Sequence, residues 1–339
     1  GAKVFAAVPE IPKENIIIGA THSHSAPDVY AFPDFKGRHG ADFAYLDWMC
    51  GKVAEAIHAA MAARQPAKLK INVAKIAEKI AYNYYAPELY DSRCGVIQAI
   101  AKSDGKPICT LINYASHPEV LGNDRGILSP DFPGPMYDYI ARSGGGMGVY
   151  FNSAQGGMVT ADTRRPAPEK EQNTWEECIR IGELLGSEAL RIVAEAPVEE
   201  NPTLYCANRD IAFPLDSKPM KYVLKHSPMK YHDCPEDKIH TRVNLLDLGD
   251  AQILTIPGEA LPNVGFYIKR HMPTDKPFLF GLTNDAFGYM LSKVDWNSFD
   301  RYDYITETGL GENTAEIYMD EALKFIADSP KPDPEPEKK

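Results

Sequence analysis

The sequence predicts an α/β fold, a mixed β-sheet flanked by helices with a metal site at strand ends. Three observations predict it. Segments with helical and with strand periodicity alternate along the 339 residues. Polar clusters rich in His, Asn, Glu and Tyr fall where apolar strand-like runs stop. The first of these, Thr21-His22-Ser23-His24-Ser25, follows the apolar run Ile16-Ile17-Ile18.

Composition sets the limits. Hydrophobic residues make up 44% and charged residues 24%, which suits a soluble chain able to bury a large core. No run of about 18 apolar residues could span a bilayer. The net charge of −11 and the scattered basic residues argue against nucleic acid as a partner. The cysteines Cys50, Cys94, Cys109, Cys178, Cys206 and Cys234 form no CxxC pair, and Cys50 reads as core. Oligomeric state is left open. A secreted or periplasmic setting stands ahead of a cytoplasmic one.

Each element has a local reason. Ile16 to Ile18 reads as a buried strand. Asp42 to Arg64 carries Phe43, Leu46, Met49, Val53, Ile57 and Ala60 at helical spacing and stops at Gln65-Pro66, giving way to a strand over Lys68 to Ile76. Cys94 to Ala101 and Ile108 to Tyr114 read as strands joined by the turn Ser103 to Lys106, the second running into His117. Phe132 to Ala141 is a helix with prolines in its first turn, Gly148 to Phe151 a short buried strand, and Thr174 to Ala194 a long amphipathic helix. Thr203 to Phe213 is a strand. Asp216 to Asp237 is a polar, Pro- and Met-containing insertion of the kind that forms a lid or rim. Thr241 to Leu248 and Ala251 to Ile256 make a hairpin about Gly249-Asp250. Glu259 then sits at a strand-to-helix junction, with the helix running through His271. Phe278 to Leu282 is a further strand and Thr314 to Ala327 the last helix. No internal sequence repeat is visible.

Two histidines set two apart at the end of an extended strand point the same way, so His22 and His24 can face one cavity, and His117 ends another strand. Imidazoles in that arrangement suit a metal or catalytic site, beside the ordinary reading of hydrogen-bonded core histidines. Glu259 can equally be a carboxylate favoured by a helix N-terminus, and Tyr289 a half-buried tyrosine. His39, His58, His226, His232, His240 and His271 read as surface or core, with His226 and His232 able to line a pocket rim.

The ordered blocks THSHSAPD, NYASHPEVLG, FNSAQGG, IPGEALPNVG and GLTNDAFGY resemble the neutral/alkaline non-lysosomal ceramidases, a family of zinc-dependent N-acyl hydrolases. The resemblance runs from about Ile16 to about Ala315. It implies one Zn²⁺ held by His22, His117, Glu259 and Tyr289, with a metal-activated water cleaving an amide. It further implies His24 in proton transfer or oxyanion stabilisation, and a second tyrosine close after Tyr289. Tyr302 and Tyr304 both lie in that stretch, and the spacing to Gly311 favours Tyr304. Gln155 and Asp162, in and just after the third block, are candidate substrate-binding or loop-shaping residues. The substrate implied is a small-molecule or lipid-like N-acyl compound, which would place the chain in lipid metabolism.

The departures are informative. The family carries an arginine after the asparagine that corresponds to Asn83, where this chain has Tyr84. Thr160 stands where a family serine has been considered a nucleophile, and there is no GxSxG elbow. No segment matches the family's immunoglobulin-like C-terminal domain. The expectation is a single ceramidase-like catalytic domain over residues 1–327 with N-terminal strands missing, and a disordered tail over 328–339. The alternatives are a zinc esterase, a hydrolase of another acyl bond, or a non-catalytic binding protein on the same fold.

Overall fold

The computed structural model describes residues 1–165, 172–230 and 235–334. His232 of the expected rim and residues 335–339 of the expected tail lie outside them. The strands are β1 (Ala67–Lys75), β2 (Ala81–Asn83), β3 (Arg93–Ala101), β4 (Pro107–Tyr114), β5 (Met147–Asn152), β6 (Val159–Ala161), β7 (Val198–Glu199), β8 (Leu204–Pro214), β9 (Lys238–Leu248), β10 (Ala251–Thr255), β11 (Glu259–Ala260), β12 (Lys276–Phe280) and β13 (Tyr289–Met290). The helices are α1 (Ala2–Ala7), α2 (Phe43–Ala62), α3 (Pro133–Arg142), α4 (Trp175–Ala194), α5 (Lys218–His226), α6 (Pro262–His271), α7 (Asp303–Glu307) and α8 (Thr314–Asp328).

The predicted mixed sheet is present twice. One sheet has the order β5-β4-β3-β1-β7 and the other β12-β10-β9-β8. In the first, β1, β3 and β4 run antiparallel in turn and β5 is parallel to β4. In the second, β8, β9 and β10 run antiparallel in turn and β12 is parallel to β10. The parallel strand is reached in both through a helix, α3 in one and α6 in the other. The two halves therefore share one topology without sharing a sequence pattern.

The sheets pack face to face. Leu69, Ile71 and Ile97 of the first meet Ile253, Phe278 and Phe280 of the second, and Phe151 stacks on Phe280 with ring centroids 4.1 Å apart. A Cβ on Gly95 would lie 2.5 Å from the Phe278 ring, so only glycine permits this approach. Helices α3 and α4 cover the outer face of the first sheet through Met136, Ile140, Ile181, Leu185 and Ile192. Helices α6 and α8 cover the second through Val264, Ile268, Tyr318 and Phe325. The result is a helix, sheet, sheet, helix sandwich.

Local signals set the element ends. Asp42 caps α2 by accepting from Ala44 N and Tyr45 N. Thr174 caps α4 by accepting from Glu177 N. The insertion after residue 215 contains α5, capped by Ser217. Residue 333 is held in place: the Asp333 N–H donates to Gly249 O and its carboxylate accepts from Thr203 N.

One predicted strand is absent. Ile16 to Ile18 joins no sheet; it is extended, and the chain pairs only at the Gly19–Thr283 bridge. Ile16 and Ile18 pack under α1 and α2 with Val4, Val8, Val53 and Ile57. Ile16 is buried by helices rather than by strand pairing, and Ile17 lies outside that cluster.

At the far end of the sandwich, Glu199 of β7 reaches the hairpin turn of the second sheet and accepts from Asp250 N at 3.3 Å. Burial and then the neighbouring Asp250 charge push the Glu199 carboxyl up to about 7. An acid whose folded value lies above its ordinary 4.5 contributes stability that is complete below about 4.5 and is lost as pH rises through about 7. Glu199→Gln should match the wild type in melting temperature at pH 4.5 and exceed it by a few degrees at pH 8. Calorimetry across that range checks both the sign and the window.

Candidate metal centre

The site lies where β4, β5 and β10 end, and buried asparagines fix its frame. Asn113 Nδ2, at the end of β4, donates to Phe151 O, Asn152 O and Leu279 O, tying both sheets together. Asn152 Nδ2 donates to Ala20 O (3.1 Å) and Thr21 O (2.7 Å), which holds the histidine loop against the end of β5. The hydroxyls of that loop are used structurally. Ser23 Oγ donates to Ser129 O and Ser25 Oγ lies 2.6 Å from Ser129 Oγ.

His22 adopts φ 66°, so the loop does not stay extended. The expected convergence of His22 and His24 is nevertheless present: their Nε2 atoms are 3.4 Å apart. A left-handed residue, not strand alternation, turns the two rings together. His117 joins them, with ring centroids 5.1 Å from His22 and 5.6 Å from His24. Its Nδ1–H donates to Val159 O at 2.7 Å, which leaves Nε2 facing Glu259 Oε2 at 2.9 Å. Glu259 Oε1 lies 3.4 Å from His22 Nε2.

The two halves of the fold each deliver one of these groups. His117 follows β4 and bridges Thr160 in parallel; Glu259 follows β10 and pairs Tyr289 in parallel. Glu259 is fixed further by its N–H to Gly288 O and by Gly156, whose N–H donates to Ala260 O. A Cβ on Gly156 would lie 2.2 Å from Glu259 O, so a side chain there would displace the carboxylate.

Charge and burial oppose each other here. Burial disfavours His117 protonation, yet the hydrogen bond and charge of Glu259 outweigh it and raise the imidazole to about 9. Burial likewise disfavours the Glu259 carboxylate, but His22 and His117 hold it well below the usual carboxylate range. Burial, then the Glu259 charge, raises the Tyr289 phenol well above its ordinary value.

The donor set fits a divalent cation. Imidazole nitrogens of His22, His24 and His117 lie within 4.8 Å of one another. The closest donor separations are 2.9 and 3.4 Å. Donors bound at ~2.0–2.1 Å to one ion stand about 2.9–3.4 Å apart. Mixed imidazole and carboxylate ligands suit zinc.

Other expected residues fall at different places. Tyr289 is buried, and its hydroxyl donates to Met158 Sδ at 3.4 Å. Tyr304 adjoins it, ring centroids 5.8 Å apart, and is 58% exposed. Tyr302 is buried against Tyr85 and does not share that position. Gln155 is fully buried with neither amide atom partnered. Asp162 is not brought into the cluster; its carboxylate is engaged by Arg164 through two 2.8 Å hydrogen bonds.

Sequence reasoning missed Glu119 and Met158. Glu119 Oε2 lies 3.0 Å from His24 Nδ1. Burial opposes its ionisation, but the His24 hydrogen bond and the His117 charge bring its carboxyl down to about 2. The available signal was a carboxylate two residues after a candidate ligand histidine.

No family model matches the sequence, and no curated protein matches it significantly at the sequence level. Solved structures do resemble it. The neutral ceramidase from Pseudomonas aeruginosa matches with a TM-score of 0.78 and 14% identity, covering 99% of this chain and 66% of that one. A ceramidase complexed with C2 matches with a TM-score of 0.76 and 15% identity, at the same coverages. The chain thus spans about two thirds of these proteins (66%) and has the neutral ceramidase fold.

Proposed function

We propose that the chain is a zinc-dependent hydrolase that cleaves an N-acyl amide, with a lipid-like or smaller acyl conjugate as substrate. The observation that carries this reading is the convergence of His22, His117 and the buried Glu259 on one point at the strand ends. The five sequence blocks and the shared fold support it. His22, His117 and Glu259 would hold the ion, with Tyr289 as the fourth ligand. A bound zinc would activate water near neutral pH and polarise the acyl carbonyl.

The chain's own groups carry the remaining work. His24 Nε2 accepts the proton released as water attacks the acyl carbon and passes it to the leaving nitrogen. The Tyr304 hydroxyl donates to the developing oxyanion. Gln155, in the third sequence block, is assigned to substrate binding although its unpartnered amide is buried in this structure, while Asp162, held by Arg164, shapes the rim. Leu261, Tyr85, Tyr302 and Met158 pack around Tyr289 and offer an apolar wall for the acyl portion. Among the described residues no helix is long and apolar enough to cross a membrane.

One observation favours a second ligand assignment. His24 Nε2 is as close to His22 Nε2 as Glu259 Oε1 is, so His24 could replace Tyr289 as a ligand. Cobalt-substituted protein separates the two, because exchanging a phenolate for an imidazole moves the visible absorption bands.

Elemental analysis of protein purified without chelator should give about one zinc per chain, with chelator-sensitive hydrolysis of a fluorogenic N-acyl amide. His22→Ala and Glu259→Ala should both lose the zinc, and full occupancy in His22→Ala would sink the assignment. Tyr304→Phe should keep zinc and lower kcat by ~10²–10³. An unchanged kcat in that variant removes Tyr304 from the chemistry.

A further inference from the structure

We propose that Glu119 is a positioning residue that fixes the tautomer of His24. The proposal rests on the reading of His24 as the proton-transferring group. His24 is bound to the 117–119 segment twice: its backbone N–H donates to Pro118 O at 3.0 Å, and its Nδ1 lies 3.0 Å from Glu119 Oε2. A carboxylate oxygen at that distance accepts from Nδ1–H, and it is the Nδ1–H tautomer of the neutral ring that has its lone pair on Nε2. That Nε2 lies 3.4 Å from His22 Nε2, so it faces the cluster of metal donors.

Without the carboxylate, the imidazole would revert to the Nε2–H form that free histidine side chains prefer. A proton would then block the atom that must accept one. A carboxylate behind a site histidine commonly sets ring orientation in this way. Thr160 bridges His117 in parallel, beside this pair. Its place in the first half of the fold is the one Tyr289 takes in the second, paired in parallel to the residue that follows the third strand.

The test uses zinc-loaded full-length chain labelled with ¹⁵N in its histidine rings, with His24→Gln to assign the His24 signals. Wild type should show His24 as Nδ1–H. Glu119→Gln, whose amide can donate to Nδ1, should turn it to Nε2–H, retain zinc, leave KM within about twofold and lower kcat by ~10²–10⁴. Glu119→Asp, which keeps the acceptor, should preserve Nδ1–H. Glu119→Ala, which removes the acceptor without adding a donor, should also turn the ring to Nε2–H, and it decides the matter if Glu119→Gln does not fold. An unchanged Nδ1–H tautomer in Glu119→Gln, or in Glu119→Ala where that variant decides, overturns the proposal. If the wild type hydrolyses no amide, the tautomer still decides the role of Glu119, and the failure belongs to the amidase reading. A turned tautomer with unchanged kcat likewise keeps Glu119 as the positioning group and removes proton transfer from His24.

Discussion

The structure depends on one buried carboxylate. Glu259 is shielded from water at the end of β10, yet it stays ionised because His117 and His22 face its two oxygens. A carboxylate in that setting without partners would be strongly disfavoured; breaking a buried pair on one side typically costs about 3–5 kcal/mol. The clamp joins three distant segments: the histidine loop after Gly19, the end of β4 and the start of β11. Everything around it serves to hold those segments in register. Asn113 ties the sheets, Asn152 holds the loop, and Gly156 packs against the Glu259 backbone.

The repeated topology explains why the clamp can exist. Each half presents, after its third strand, a residue that pairs in parallel with a later short strand or bridge: His117 with Thr160, and Glu259 with Tyr289. Stacking the sheets face to face brings these two strand ends together at one end of the sandwich. The halves differ in chemistry at equivalent positions, one giving an imidazole and a small hydroxyl, the other a carboxylate and a phenol. Together they supply a mixed nitrogen and oxygen donor set of the kind zinc accepts.

The sequence made some of this legible and hid the rest for physical reasons. β3, β4 and α4 were visible because apolar runs, the turn between the two strands and the amphipathic spacing of the helix agree there. Ile16 to Ile18 misled, since apolar burial alone does not say whether a strand or a helix covers the residue. The repeat was invisible because many apolar sets satisfy the same alternation. β11 and β13, two residues each, carry no periodic signal at all, though they place Glu259 and Tyr289. Spacing to Gly311 favoured Tyr304 over Tyr302; in the fold Tyr302 is buried and Tyr304 adjoins Tyr289, which spacing alone does not reveal. Glu119 escaped because its role comes from a contact with His24, which only the fold creates.

Accessibility distinguishes a working centre from a structural one. Structural metal sites are closed by their ligands, whereas catalytic sites keep a position open. Here His22 and His24 retain side-chain exposures of 18% and 25%, and Tyr304 stands largely in solvent at the mouth. Ser116, Asn152, Ser153 and Gln155, at or just after the ends of β4 and β5, carry buried polar atoms with no partner. Folded chains rarely leave such groups unsatisfied without a reason. The buried Asp91 elsewhere shows the contrast: Arg93 and Lys269 engage both its oxygens, and it serves as a strut. Unpartnered polar atoms also occur at Glu199, Asp247 and Gln252, toward the other end of the sandwich, so what sets the histidine cluster apart is that its imidazoles keep partial exposure while Glu259 behind them is buried.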